Sequence, residues 1–316
     1  MKSRKADEGA NGRPCLKGWL FLKVIDLPQE EWILPGHRLC AGCAAALAYR
    51  IALKALGPNT IVTVPASCIT VLHGMYPVTS VKIPCLNTAF ETSAASASGI
   101  EAGLKALGRE GVTVMSWAGD GGTYDIGIQA LSGAAERGAN ILHVCYDNEA
   151  YMNTGTQRSG ATPLGTRTTT TPVQGKKQQK KDMVMIMLAH GVSYLATATP
   201  AYPLDLFKKF QKAATVKGTR YIEILCPCPP GWGFETHLAM EMGRLAVRAG
   251  VFPLLEGNGE GVTFHALSRS VPKREAFDEY VKGQGRFKSM KDEDIELLWQ
   301  QVLSRRERML KVACHV

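Results

Sequence analysis

A chain of 316 residues with 45% hydrophobic and 21% charged side chains is long enough to bury the core of one large α/β domain, with the composition of an ordinary globular protein. No stretch approaches the ~20 continuous apolar residues that a membrane span requires. The opening stretch MKSRKADEGANGRPC holds no apolar run of the signal-peptide kind, so the reading is a cytoplasmic protein. The net charge of +9 is scattered rather than interleaved with aromatic residues on one face, which argues against a nucleic-acid partner and against a non-enzymatic basic binding module.

Residues 1–36 read as an irregular N-terminal arm whose apolar run Trp19–Ile25 suits packing on a partner chain. From Ala41 to Leu56, apolar and small residues recur at helical spacing until Gly57-Pro58 stops them. Thr60 to Val64 reads as a buried strand ended by Pro65, and the small residues of 93–107 predict a close-packed helix. The apolar run Gly111–Ala118 is a strand. It ends at Gly119-Asp120-Gly121-Gly122, a helix follows over Tyr124–Arg137, and a second strand, Ile141–Tyr146, ends at Asp147-Asn148. Strand, glycine turn, helix, strand is a βαβ unit of a parallel sheet.

Residues 150–175 hold too few apolar positions for either period and read as a functional loop. The run Lys176-Lys177-Gln178-Gln179-Lys180-Lys181 reads as a solvated loop, the sharper alternative being a seat for an acidic partner such as a ferredoxin. Helix 182–190, strand 193–197, helix 203–216 and strand 221–225 resume the alternation, and 288–312 is an amphipathic charged helix. The fold class is therefore α/β, a mostly parallel sheet with helices on both faces. It occupies residues 37–260, between the arm and a C-terminal helical extension, 261–316.

In an open parallel sheet, ligands collect at the carboxyl ends of strands. Asp120 and Asn148 stand at two such ends, 28 positions apart, the distance one crossover helix and a strand require. Paired oxygen donors there suit a small hard cation such as magnesium, which keeps waters or phosphates in its shell. Gly119, Gly121 and Gly122 let backbone N–H groups approach a phosphate at a helix start. By itself such a turn would simply link strand to helix. The second strand end with its Asp147-Asn148, followed by Met152-Asn153-Thr154-Gly155, favours a diphosphate site.

Nine cysteines without an exported context point to free thiols or metal ligands. Cys40 and Cys43 form C-x-x-C, Cys68 follows alone, and Cys226 and Cys228 form C-P-C. A four-thiolate set suits an iron–sulfur cluster or a structural zinc. Cys15, Cys85, Cys145 and Cys314 read as buried or incidental thiols. His37 and His73 lie near these cysteines but take no catalytic role, and His143, inside an apolar strand, reads as core.

The motif Gly119–Gly122 followed by DNEAYMNTGTQ (147–157) resembles the thiamine diphosphate motif of pyruvate:ferredoxin oxidoreductases. RSGATPLGTRTTTTP (158–172) resembles the loop downstream of it in that family. The likeness runs from His37 to Trp232 and is weaker outside. It implies a thiamine diphosphate-binding domain in which Asp120, Asn148 and the backbone carbonyl of Ala150 ligate magnesium. Gly119, Gly121, Gly122 and Thr154 then line the cofactor, and Asn153 takes a catalytic place beside the thiazolium.

The stretches G-H-R-L-C-A-G-C, P-A-S-C and C-P-P-G-W resemble the same family's cluster-binding segments, which implies one 4Fe–4S cluster on Cys40, Cys43, Cys68 and Cys228, with Cys226 not a ligand. No carboxylate of this chain fits the activation of the aminopyrimidine. The resemblance assigns that glutamate to a pyrimidine-binding partner subunit, and electron transfer onward to a ferredoxin-like subunit and ferredoxin. The implied reaction is the oxidative decarboxylation of pyruvate with coenzyme A, reversible as pyruvate synthesis. Another 2-oxoacid (oxalate, branched-chain, aryl glyoxylate) and a non-redox thiamine decarboxylase or synthase subunit stay open as alternatives.

Overall fold

The computed structural model describes residues 23–313. Most of the expected arm, including Trp19, Cys15 and the start of the apolar run, lies outside these residues, as does Cys314. The chain order is α1 (Ala44–Leu56), β1 (Thr60–Pro65), α2 (Cys68–His73), β2 (Cys85–Thr88), α3 (Ser93–Ala106), β3 (Thr113–Gly119), α4 (Ile128–Glu136) and β4 (Ile141–Asp147). There follow α5 (Met183–Ala189), β5 (Tyr194–Ala198), α6 (Pro203–Thr215), β6 (Arg220–Leu225), α7 (Pro229–Trp232), α8 (Ala239–Arg248), β7 (Leu255–Asn258), β8 (Gly261–Phe264), α9 (Ala266–Arg269), α10 (Arg274–Lys282) and α11 (Asp292–Lys311).

The strands form one open sheet in the order β2-β1-β3-β4-β6-β5-β7-β8. The first six pair in parallel, and β7 and β8 add an antiparallel hairpin at one edge. Alternation along the parallel strands sends side chains to two cores. Met115 and Trp117 of β3 pack on the face covered by α1 and α6, whereas Val114 faces α3, α4 and α5. The mostly parallel sheet with helices on both faces is thus the observed architecture. A third cluster joins α8, α10 and α11 around Trp232, Phe252 and Phe277.

The strand order decides where a ligand sits. From β1 the chain passes to β2 on one side and then crosses to β3 on the other, so the crevice between the carboxyl ends of β1 and β3 is a topological switch point.

Several details depart from the sequence reading. The helix expected over Tyr124–Arg137 begins as a π-helical turn, Gly121–Asp125, and becomes α-helical only at Ile128. Such widened turns recur at functional sites. Here the wide turn leaves the carboxylate of Asp125 placed to accept hydrogen bonds from Tyr151 Oη (2.9 Å), Gly160 N (2.9 Å) and Lys181 Nζ (2.7 Å). The run 176–181 is not simply a solvated loop. Lys176 is buried, its ammonium donating to the Thr162 carbonyl at 2.5 Å, and Lys180 enters a buried ion-pair network. The 150–175 loop is irregular as expected, yet Ser159 through Thr166 is buried. The boundary expected at residue 260 falls inside the β7–β8 hairpin.

Candidate cofactor and cation site

β3 and β4 are direct neighbours, with Gly119 in register with Tyr146, so Asp120 and Asn148 emerge side by side at the carboxyl edge of the sheet. A cavity of about 230 Å³ opens there. Its wall takes in Gly119, Asp120, Gly121, Gly122, Asn148, Ala150, Asn153 and Thr154, every residue assigned to the thiamine diphosphate and its cation on the sequence, together with Cys68 from the start of α2. Gly121 has a steric reason: a methyl group on it would overlap the Tyr151 ring. Asn153 and Thr154 lie exposed at the tip of a small loop closed by Tyr151 N to Gln157 O at 2.9 Å.

Three polar groups meet on the wall of this cavity. The Asn148 amide lies 3.0 Å from Asp120 Oδ1 and 2.8 Å from the carbonyl oxygen of Ala150, and with its NH2 turned toward them it donates to both. Turned the other way, the same amide would offer Oδ1 beside those two oxygens, the donor set a small hard cation takes. Asp120 is buried, and its other oxygen accepts from Ser159 Oγ at 2.5 Å. Burial first, then the Asp147 carboxylate, pushes Asp120 well above the usual carboxylate range. A dication in contact would reverse that balance.

The strand end is held by residues the sequence reading did not identify. Asp147 Oδ1 accepts from Glu149 N at 2.9 Å, and Cys226 N donates to the Asp147 carbonyl at 2.7 Å. Lys180 pairs with both Asp147 and Glu149, and Arg286, 137 positions from Glu149, reaches its Oε2 at 2.6 Å. Burial raises Asp147 to about 7 despite Lys180, with Glu149 and Glu223 adding to the rise. For Glu149, burial is overcome by Lys180 and Arg286, and its pKa lies below the ordinary value. Ser159 stands in a stretch already read as functional, but Arg286 offers no local signal at all.

The cysteines border the same region. Cys43 and Cys228 cap the starts of α1 and α7, and Cys68 is the first residue of α2. Helix starts favour negative charge. Burial, then the Cys228, Cys43 and Cys40 thiols, raises Cys68 to about 12; burial raises Cys228 to about 11 against a hydrogen bond from Gly231 N–H, with Cys43 and Cys40 adding to it. Among the described residues, however, no three His, Cys, Asp or Glu side chains are gathered into a metal cage. The oxygen site falls outside that description because two of its donors are an amide and a carbonyl. Cys226 is buried in the core, Cys145 is buried and Cys85 is exposed. His143 is buried and bonded to Thr123 Oγ1 at 3.1 Å, and His73 is buried against Tyr49 Oη at 3.0 Å. Both are packing histidines.

Residues 66–224 match the family described as "Thiamine pyrophosphate enzyme, C-terminal TPP binding domain". This defines the class: a thiamine pyrophosphate-binding domain built on a mostly parallel sheet. The chain is 48% identical over 285 residues to the pyruvate synthase subunit PorB of Methanocaldococcus jannaschii, covering 86% of this chain and 94% of that protein. It is 47% identical over 302 residues to the ketoisovalerate oxidoreductase subunit VorB of Pyrococcus abyssi, covering 92% and 96%. The chain belongs to this family of oxidoreductase subunits. Its fold is similar to that of a 2-oxoglutarate:ferredoxin oxidoreductase from Magnetococcus marinus, with a TM-score of 0.57 at 20% identity over 88% of this chain and 89% of that one.

Proposed function

We propose that the chain binds thiamine diphosphate through a magnesium ion held by Asp120, Asn148 and the Ala150 carbonyl, as the cofactor-holding subunit of a cytoplasmic pyruvate:ferredoxin oxidoreductase. The convergence of those three groups carries the reading. Asp120 Oδ1 and the Ala150 carbonyl oxygen lie 3.0 and 2.8 Å from the end of the Asn148 amide, which would turn its oxygen inward to meet a cation with them. When bound, thiamine diphosphate supplies an electron sink for the carbon left by decarboxylation. The chain's own residues place it: Gly121 and Gly122 leave room for the diphosphate, the buried floor keeps bulk water from the ion, and Asn153 and Thr154 stand at the rim where the thiazolium belongs.

Cys68 on the wall of the same cavity supports a second cofactor. Cys40, Cys43, Cys68 and Cys228 would hold a 4Fe–4S cluster, a one-electron carrier beside the site of oxidation. Zinc would give no such route. Among the described residues, Asp120 is the one carboxylate lining the cavity, which supports a partner subunit supplying the activating glutamate. Coenzyme A takes the acyl group, and ferredoxin receives electrons through a ferredoxin-like subunit. Pyruvate leads because two relatives named pyruvate synthase subunit PorB stand at 48% and 49% identity. The VorB relative at 47% makes a branched-chain 2-oxoacid the second reading.

Reduction of methyl viologen by the assembled complex, tested with a panel of 2-oxoacids and accompanied by thiamine and iron counts, decides among these. Fastest turnover with pyruvate, dependent on coenzyme A and with iron on this chain, is expected. Iron-free chain rejects the cluster, and preference for 2-oxoisovalerate rejects the substrate.

A further inference from the structure

Glu149 lies between the two residues that would present Asn148 Oδ1 and the Ala150 carbonyl to the ion, and its φ is 66°, a left-handed conformation that a side chain other than glycine rarely adopts. Rotation about this one residue turns one oxygen relative to the other, so whatever fixes it fixes their convergence. Its own backbone is held by Thr162 Oγ1, which donates to the Glu149 carbonyl at 2.6 Å, and by Asp147 Oδ1, which accepts from its N–H. Its carboxylate is buried and held at both oxygens, by Lys180 at 3.1 Å and by Arg286 at 2.6 Å. The Arg286 guanidinium also lies 3.7 Å over the ring of Trp232, whose Nε1 donates to the Asn148 carbonyl at 2.8 Å. One side chain thus braces the cation loop twice, once through Glu149 and once through Trp232.

We infer that Arg286, carried by the segment after α10, is a positioning residue for the cation and diphosphate, acting through the Glu149 carboxylate and the Trp232 ring. The inference rests on the proposed magnesium site. It makes the C-terminal region part of the cofactor site, because an arginine just beyond the α8–α10 core sets the direction of two ligand oxygens on the far side of the chain. Gln284 Oε1, which accepts from Arg286 Nε at 2.8 Å, and Tyr280 Oη, 3.2 Å from Nη2, keep the guanidinium plane in place. A lysine would keep the charge but lose the flat fork and the stacking.

The test uses the assembled complex and measures the magnesium concentration that half-saturates thiamine diphosphate binding. Glu149→Gln and Arg286→Gln should each raise it by about tenfold to a hundredfold, the range for outer partners of metal ligands. The double variant should be no worse than the weaker-binding single, since both changes release the same loop. Arg286→Lys should recover only part of the loss. With Mn2+ in place of magnesium, the electron spin resonance line shape of the bound ion should change in both single variants. A wild-type magnesium requirement in both single variants overturns the inference. So does a wild-type line shape for the ion they still bind, which would mean that only stability had been lost. If Arg286→Gln does not assemble, Glu149→Gln decides alone by the same two readings. Asp120→Asn separates the two levels: retained magnesium-dependent binding there rejects the cation site itself, whereas lost binding there with unaltered Glu149 and Arg286 variants rejects only the positioning role.

Discussion

Ser159 and Asp120 show how the site is tuned one side chain at a time. The Ser159 hydroxyl donates to one carboxylate oxygen and leaves the other for the proposed ion, so Ser159→Ala should weaken magnesium-dependent cofactor binding by about tenfold, measured by equilibrium dialysis of the complex. Unchanged binding would show that Asp120 needs no orientation. The two cysteines of C-P-C make opposite predictions. Cys228 is half-buried at the start of α7, whereas Cys226 is buried among core side chains while its amide holds the Asp147 carbonyl. Cys228→Ser should lose iron and the broad absorption near 400 nm, and Cys226→Ser should keep both. The reverse pattern would reassign the ligand. Asp120, Asn148 and the glycines could be read in the sequence because a strand end and its turn are local. Arg286 and Lys180 could not, since a charge is called into the interior by partners that are distant along the chain.

At the scale of elements, the helix-capping ion pair Asp182–Arg305 ties the start of α5 to α11. Asp182 Oδ1 caps Met185 N and both carboxylate oxygens accept from Arg305, at 3.1 and 3.2 Å. Burial opposes ionisation, but the Arg305 charge and its hydrogen bonds overcome it, so the Asp182 pKa is lowered on folding. A lowered folded pKa gives stability that is present above the unfolded value of about 3.9 and lost as pH falls through the folded one. Asp182→Asn should therefore cost about 1–3 kcal/mol at pH 7. The gap from wild type should close as the pH falls below ~4, read from denaturant midpoints across pH. A gap independent of pH would contradict the assignment. The long parallel strands and α5, α6 and α11 follow from hydrophobic periodicity, as expected on sequence. The β7–β8 hairpin does not: four-residue strands around Gly257 and Gly261 carry too short a pattern, and they are strands because they complete an existing edge.

Taken whole, the molecule would offer half of a cofactor site under the proposed function. Strand ends and the 150–154 loop line the cavity, and the loop after α2 exposes Met75, Tyr76 and Val78, apolar surface of the kind partner subunits cover. The chain alone should show no 2-oxoacid turnover with methyl viologen, and activity should return on adding the partner subunits. Turnover by the isolated chain would mean that the activating carboxylate lies within it.

In the proposed site the oxygens of Asp120, Asn148 and Ala150 grip an ion that grips a diphosphate. Titrating thiamine diphosphate against magnesium in the assembled complex, wild type beside Asp120→Ala, tests this directly. Binding that depends on magnesium in the wild type and is lost in the variant is the predicted result. Binding that survives chelation of magnesium, or that Asp120→Ala retains, would contradict it.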